Sequence, residues 1–390
     1  MRWQAVLGAT TGITVLAAIA LVVTSVHAWH DMGHVISAEI ARRMLQQERP
    51  ELIDRINQLS QVVAPYFRDR LLELPYSSVW MDKIRNDTGA FDTQHYRAEP
   101  ITGPDYNCTE NIRCVIDATN VATSLQQLSS SLMFSNQSQA WGKGLSMLML
   151  VHFIGDLHQP LHATQFFSQE FPRGDVGGNL YNISYADDVE DRKALQQSYH
   201  QLHLLFDACG GVYTGYAEDH DFHANMLRHV DQLLKDFPKE QYLESQLNPA
   251  YNSAKEFHDR AVMPWLRESA AISKWVYSQL NPARGVVRQA FLDRIRSILR
   301  ERVALAGYRL ALVLKRVNYT MVVPVKTVNG TWENAEVGMV SSSGSGLVLL
   351  GRGGELKAAV LVVLANLIAF VGGAACRGGG RGVVQLAKYE

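Results

Sequence analysis

Hydrophobic positions recur at helical spacing along most of the chain. Between 35 and 45, Val35, Ile36, Ala38, Ile40, Ala41, Met44 and Leu45 make one apolar face, with Glu39, Arg42 and Arg43 on the other. Residues 145–154 are apolar almost all round, which predicts a helix at the centre of the core. Residues 254–279 read as helix interrupted at Pro264, and 287–313 as a long amphipathic helix with Arg on its polar face. Strand-like alternation is confined to a short piece at 179–185. Two apolar runs lie near the ends. Residues 6–26 follow Arg2 and lead into Val26-His27-Ala28, the arrangement of a secretory leader with a small-residue cleavage site, so 1–28 is expected as a signal peptide. Residues 358–375 carry no charge and precede Arg377, Arg381 and Lys388, which predicts a transmembrane helix over 358–376 and a short cytoplasmic tail over 377–390. The body is then 29–320, and 321–357, with its Ser/Gly run at 341–346, reads as an extracellular stalk.

Composition narrows the partners. The 390 residues are 47% hydrophobic and 19% charged, enough for a substantial core. A formal net charge of −1 provides no broad basic face of the kind that grips nucleic acid through its phosphates. A nucleic-acid substrate would have to be held by metals and stacking. Cys108 and Cys114 share one polar loop and predict a local disulfide outside the cytosol. Cys209 and Cys376 lack a partner. Sequons at Asn86, Asn107, Asn136, Asn182, Asn318 and Asn329 are spread between the two apolar ends, as in a lumenal or extracellular body.

The chemistry concentrates in histidines and aspartates. In His152-Phe153-Ile154-Gly155-Asp156-Leu157-His158-Gln159-Pro160-Leu161-His162, His152 and Asp156 are four apart and share a helix face. Pro160 should end that helix near Gln159. His162 then lies beyond the end and can turn elsewhere. His203 and Asp207 repeat the spacing on another segment, and Asp82 and His95 add a third group. A carboxylate on so apolar a helix needs a cation, and imidazole with carboxylate is a donor set that Zn²⁺ accepts. Cleavage after Ala28 would expose the α-amine of Trp29 five residues before His34, adding an amine and a carbonyl oxygen to the donors. His158 has no such case and is expected at the surface or behind the ligands.

These motifs together resemble the S1/P1 nucleases. They are Trp29-x-x-x-Gly33-His34, Trp80-Met81-Asp82, His95, the segment 152–162, Gly177-Gly178-Asn179, and Leu202-His203 with Asp207, in the family's order from about residue 29 to 313. The resemblance implies a mainly α, single-domain zinc nuclease/phospholipase C-like helical fold, here with a C-terminal transmembrane helix. It implies three zinc ions. One would take Asp82, His95, His152 and Asp156. A second would take the Trp29 amine and carbonyl, His34 and a bridging Asp156. A third would take His162, His203 and Asp207. It further implies hydrolysis of single-stranded RNA and DNA and of 3′-nucleotides by metal-activated water. Asp82 would orient the water, Arg85 would stabilise the phosphoryl charge, Asn179 would contact phosphate, and Tyr96 would stack on a base. The pattern departs at Ala98, where related nucleases carry an Asp that bonds the base, which leaves base preference open. The apolar tail resembles the surface-anchored 3′-nucleotidase/nucleases of trypanosomatid parasites. Two alternatives are a zinc phospholipase C of the same fold, which usually closes the third site with Glu where Asp207 stands, and a non-catalytic zinc-binding surface protein, which would need neither Arg85 nor Asn179.

Overall fold

The fold is organised around a helix with almost no polar face. In the computed structural model, which describes residues 29–64, 72–104, 106, 116–136, 138–282, 284–326, 331–338 and 348–349, this helix is Ala140–His158. It is buried from Met147 to His158 without a break. It ends where Pro160 forces the preceding Gln159 into an extended conformation, φ −78° and ψ 117°.

The chain is mainly helical. In order, the helices are α1 (Asp31–Glu48), α2 (Glu51–Gln61), α3 (Trp80–Thr88), α4 (Val121–Ser129), α5 (Ala140–His158), α6 (Arg192–Ser198), α7 (Leu202–Asp207), α8 (Phe222–Asp236), α9 (Glu244–Leu247), α10 (Ala254–Phe257), α11 (Met263–Leu280) and α12 (Gln289–Leu314). Strands are few. β1 (Glu99–Thr102) pairs in parallel with β2 (Thr164–Phe167), and β3 (Ser184–Tyr185) with β4 (Val286–Val287).

Small residues set the closest helix crossings. α1 lies along α12 at Gly307, where a β-carbon would sit 2.7 Å from the Ile40 β-carbon and from the Ser37 carbonyl oxygen. α2 meets α5 at Gly144, where a β-carbon would sit 2.5 Å from the Leu59 carbonyl oxygen. α1 and α5 approach at Gly155, where a β-carbon would sit 2.7 Å from His34 Nδ1, at the end of α5 that carries Asp156. A boxed cap starts α4: the Asn120 side chain accepts from Ala122 and Thr123 N–H, and the Thr123 hydroxyl accepts from Asn120 N–H.

Several expectations hold and some change. The helices predicted over 35–45, 145–154 and 287–313 are the cores of α1, α5 and α12. The expected break at Pro264 is a widening: α10 runs through a single wider turn, His258–Val262, directly into α11, and Pro264, which cannot make an ordinary helical bond to the preceding turn, follows that widening. Of 179–185, only Ser184–Tyr185 is strand. Part of the expected stalk is ordered as sheet. β5 (Met321–Lys326) and β6 (Trp332–Gly338) pair antiparallel, and β7 (Val348–Leu349) joins β6. The buried Lys143 ammonium donates to the carbonyls of Asn318 and Thr320, fixing the start of this sheet against α5. The expected leader at 1–28, the transmembrane helix at 358–376, the tail at 377–390 and the Cys108–Cys114 pair lie outside the described residues. Among the described residues, no helix is long and apolar enough to cross a membrane.

Candidate metal centre

Three groups of buried donors converge. His34, His152 and Asp156 form one; Asp82, His95 and His152 a second; His162, His203 and Asp207 a third. Within each, the ligand atoms lie within 4.8 Å of one another. The donors come from several separate elements. His34 is in the first turn of α1, Asp82 in the first turn of α3, and His152 and Asp156 one turn apart on α5. His95 and His162 end single 3₁₀ turns, Asp92–His95 and Pro160–His162. His203 and Asp207 share α7.

The first two groups share His152 and also touch through Asp156. Its Oδ1 is 3.4 Å from His34 Nε2, while its Oδ2 is 3.0 Å from His95 Nδ1 and 3.1 Å from His152 Nε2. The carboxylate therefore faces both ways. Asp82 closes the opposite side, at 3.7 Å from His34 Nε2 and His95 Nδ1 and 3.8 Å from His152 Nε2. In the third group, His203 Nε2 is 3.4 Å from Asp207 Oδ2. The groups are linked, because His162 Nδ1 donates to the His95 carbonyl at 2.8 Å.

The outward nitrogens fix the tautomers. His152 Nδ1 donates to the Ser78 carbonyl at 2.6 Å, His162 Nδ1 to His95, and His203 Nδ1 to the Gly177 carbonyl at 2.6 Å. Each bond holds the proton on Nδ1 and turns the Nε2 lone pair inward, the arrangement that carbonyl partners impose on metal-ligating histidines. Gly177 is needed for its bond. With φ +59° its backbone comes so close that a β-carbon would lie 2.8 Å from the Leu161 carbonyl oxygen.

Electrostatics show what this donor set requires. All nine candidate ligand residues are buried to within a few per cent. Burial pushes the Asp207 carboxyl well above the usual carboxylate range, and neither the Gln159 amide nor the charge of Arg85 offsets it. Burial also raises Asp82, but the charges of His152, Arg85, His95 and His34 outweigh it and hold the group near 2. Burial lowers His34 to about 4, and the neighbouring His152 adds to this. His152 is lowered by burial and raised more strongly by Asp156 and Asp82, to about 9, so without a cation its Nε2 carries the proton that a bound metal would displace. Among the described residues, oxygens of Asp82, Asp156 and Asp207 and both ring nitrogens of His34 have no hydrogen-bond partner. Buried carboxylates among inward lone pairs need cations, and these residues fit zinc.

Around this centre, Arg85 lies one turn beyond Asp82 on α3. It is buried, its Nη2 3.4 Å from Asp82 Oδ1, and neither terminal nitrogen has a hydrogen-bond acceptor among the described residues. Asn179 is buried too; its Nδ2 donates to the Val176 carbonyl and its Oδ1 has no partner among the described residues. Tyr96 is half-buried, and burial pushes its hydroxyl up to about 12.

A model of the S1/P1 nuclease family matches residues 29–318. The chain belongs to that family. Among curated relatives, Endonuclease 1 of Arabidopsis thaliana is 25% identical over 318 residues, covering 78% of this chain and 91% of that protein. Endonuclease 2 of the same plant is 26% identical over 307 residues, covering 75% and 91%. Endonuclease 5 is 27% identical over 259 residues, covering 61% and 75%.

S1/P1 nucleases are zinc-dependent, and the structure gathers the side chains that the sequence marked for that role. Trp29 is fully buried, its indole N–H donating to the Gly155 carbonyl at 3.0 Å. His30 N–H donates to the Asp207 carbonyl at 3.0 Å, so the start of the body runs between the first and third groups. Of the two places expected for His158, at the surface or behind the ligands, the surface is ruled out. The side chain is fully buried, its Nδ1 on the Ile154 carbonyl and its Nε2 2.8 Å from Arg309 Nη1. It serves the packing behind α5. Two contributors were not marked by sequence. Gly155 clears space for His34, and Gln159 bonds both Leu161 N–H and Asp207. Their signal was present only as two unexplained letters inside the 152–162 motif.

Proposed function

We propose that this S1/P1 family member is a zinc-dependent phosphohydrolase that cuts single-stranded RNA and DNA and releases phosphate from 3′-nucleotides. The observation that carries the reading is Asp156 facing two donor groups at once, with the unsatisfied guanidinium of Arg85 buried beside them. The relatives named endonucleases support it.

Zinc held by Asp82, His95, His152 and Asp156, by Trp29, His34 and Asp156, and by His162, His203 and Asp207 would supply Lewis acidity toward phosphate oxygens and make a water nucleophilic near neutral pH. The chain's own residues do the rest. Asp82 carries a carboxylate oxygen without a hydrogen-bond donor, suited to orient an attacking water. Arg85 offers N–H groups to phosphate oxygens and counters the charge that builds there. Asn179 has one side-chain oxygen unspent and lies on the loop that braces His203. Tyr96 gives a face for an unpaired base. A duplex must first unstack that base, at a cost of a few kcal/mol, and the near-neutral chain offers no basic face to offset it.

On sequence alone, we place the catalytic body outside the cytosol at the cell surface, tethered by 358–376. The test of function compares a 3′-nucleotide, its 5′ isomer, single-stranded and duplex DNA, and phosphatidylcholine with the zinc-loaded protein. The 3′-nucleotide and single strand should be hydrolysed first. Hydrolysis of the lipid alone would move the chain to the phospholipase reading.

A further inference from the structure

Gln159 is fully buried at the end of α5, and both ends of its amide are engaged. Its Oε1 accepts the Leu161 N–H at 2.6 Å. Its Nε2 donates to Asp207 Oδ1 at 2.8 Å. Its own N–H donates to the Asp156 carbonyl at 3.0 Å. One side chain thus touches the turn that carries His162 and the carboxylate that faces His203. It leaves Asp207 Oδ2 without a hydrogen bond, 3.4 Å from His203 Nε2.

We infer that Gln159 is the positioning residue of the third metal group. It spends one Asp207 oxygen so that the other stays open toward His203, and it pins Leu161 so that His162 stands beside His203, their ring centroids 5.2 Å apart. An unbonded carboxylate can rotate, and a freely rotating ligand loses part of its binding energy to ordering. A neutral amide donor suits the task because it fixes the carboxylate without neutralising it. An Arg or Lys in its place would compete with the metal for the charge. The inference rests on the zinc reading above, but its readout is metal affinity at one group.

Two variants separate the two bonds. Gln159→Glu keeps an acceptor for Leu161 N–H and replaces the donor with an oxygen facing Asp207. Gln159→Met keeps the length and removes both bonds. Each full-chain protein is loaded with zinc, equilibrated against a graded series of chelator, and its zinc per chain measured. Asp207→Asn marks the step that belongs to the third group. In Gln159→Glu that step should move to roughly 10- to 100-fold lower chelator concentration, as for other losses behind a ligand, with the remaining zinc unmoved. Gln159→Met should move it at least as far. Adding Gln159→Glu to Asp207→Asn should move nothing further. An unshifted step in both variants overturns the proposal, and so does an equal shift at every group. If neither variant folds, Gln159 is a folding residue and the proposal is likewise overturned. If Asp207→Asn itself leaves the zinc titration unchanged, the failure lies in the three-site reading and not in Gln159.

Discussion

Gly155 passes His34 with no room to spare: a β-carbon at Gly155 would lie 2.7 Å from His34 Nδ1 and 3.0 Å from its Cε1. The imidazole is fully buried and cannot swing aside. On helix propensity alone, Ala should gain up to about 1 kcal/mol in mid-helix. Gly155→Ala should nevertheless displace His34 and cost about 10²-fold in turnover, since misplacements near 1 Å carry that penalty. Gly142, on the same helix with nothing within 4 Å of its hypothetical β-carbon, is the control. Gly142→Ala should raise the melting temperature slightly and leave turnover alone. Equal behaviour of the two variants would refute the steric argument.

Much of this centre could be read from the sequence because metal ligation constrains both residue type and spacing. His152 with Asp156 and His203 with Asp207 each sit one helical turn apart, so the chain itself places the pair on one face. What stayed hidden depends on distant partners. His158 looks like its neighbours in sequence, but its fate is set by Arg309 on α12, with Arg302 capping its carbonyl. The apolar segments gave the long helices for the same reason in reverse, since burial of one face is a local pattern. The sheet at 321–338 was obscured by the Ser/Gly run after it, although Met321-Val322-Val323 is β-branched enough to pair once Lys143 anchors it.

Asp156 and Arg85 should fail in different ways. The two oxygens of Asp156 face separate donor groups, so Asp156→Ala should lose zinc from both. Arg85 ligates nothing. Arg85→Ala should keep its zinc and lose turnover by about 10²-fold or more, as when an oxyanion donor is removed. Zinc per chain, measured beside kcat for each variant, checks the division. Matching zinc loss in the two proteins would show that Arg85 supports the ligands and not the phosphoryl group.

Trp29 tests processing. Its indole is locked to the Gly155 carbonyl, and the next peptide N–H is held by Asp207. The backbone start is therefore fixed beside the donors, and a free amine there would join them. A mature protein carrying one extra residue before Trp29 should lose activity on the order of 10²-fold or more, beyond the effect of losing a group behind a ligand. The comparison uses two proteins differing only in that residue, each with its zinc content measured. Full activity with full zinc in the extended form would remove the amine from the ligand set.

Asp175 sets a pH dependence away from the metal groups. It is buried, Phe166 N–H and the Tyr277 hydroxyl donate to its carboxylate, and burial outweighs both to raise it to about 6 from 3.8. A carboxyl raised on folding favours the folded state while protonated. Its contribution is fully present below the unfolded value near 3.8 and is lost as pH climbs through about 6. A tenfold change in proton affinity corresponds to about 1.4 kcal/mol, so the natural protein should lose roughly 3 kcal/mol from this group between about pH 3 and about pH 8. Asp175→Asn cannot ionise, and its Oδ1 can still accept from Phe166. The difference in stability between the two proteins, taken from thermal melts at matched zinc and salt, cancels every other titration. It should turn in favour of Asn as pH rises from about 4 to about 6, with the midpoint near about 5, halfway between the unfolded and folded values. A difference that stays flat across that interval would mean that Asp175 ionises as freely in the folded protein as in the unfolded chain.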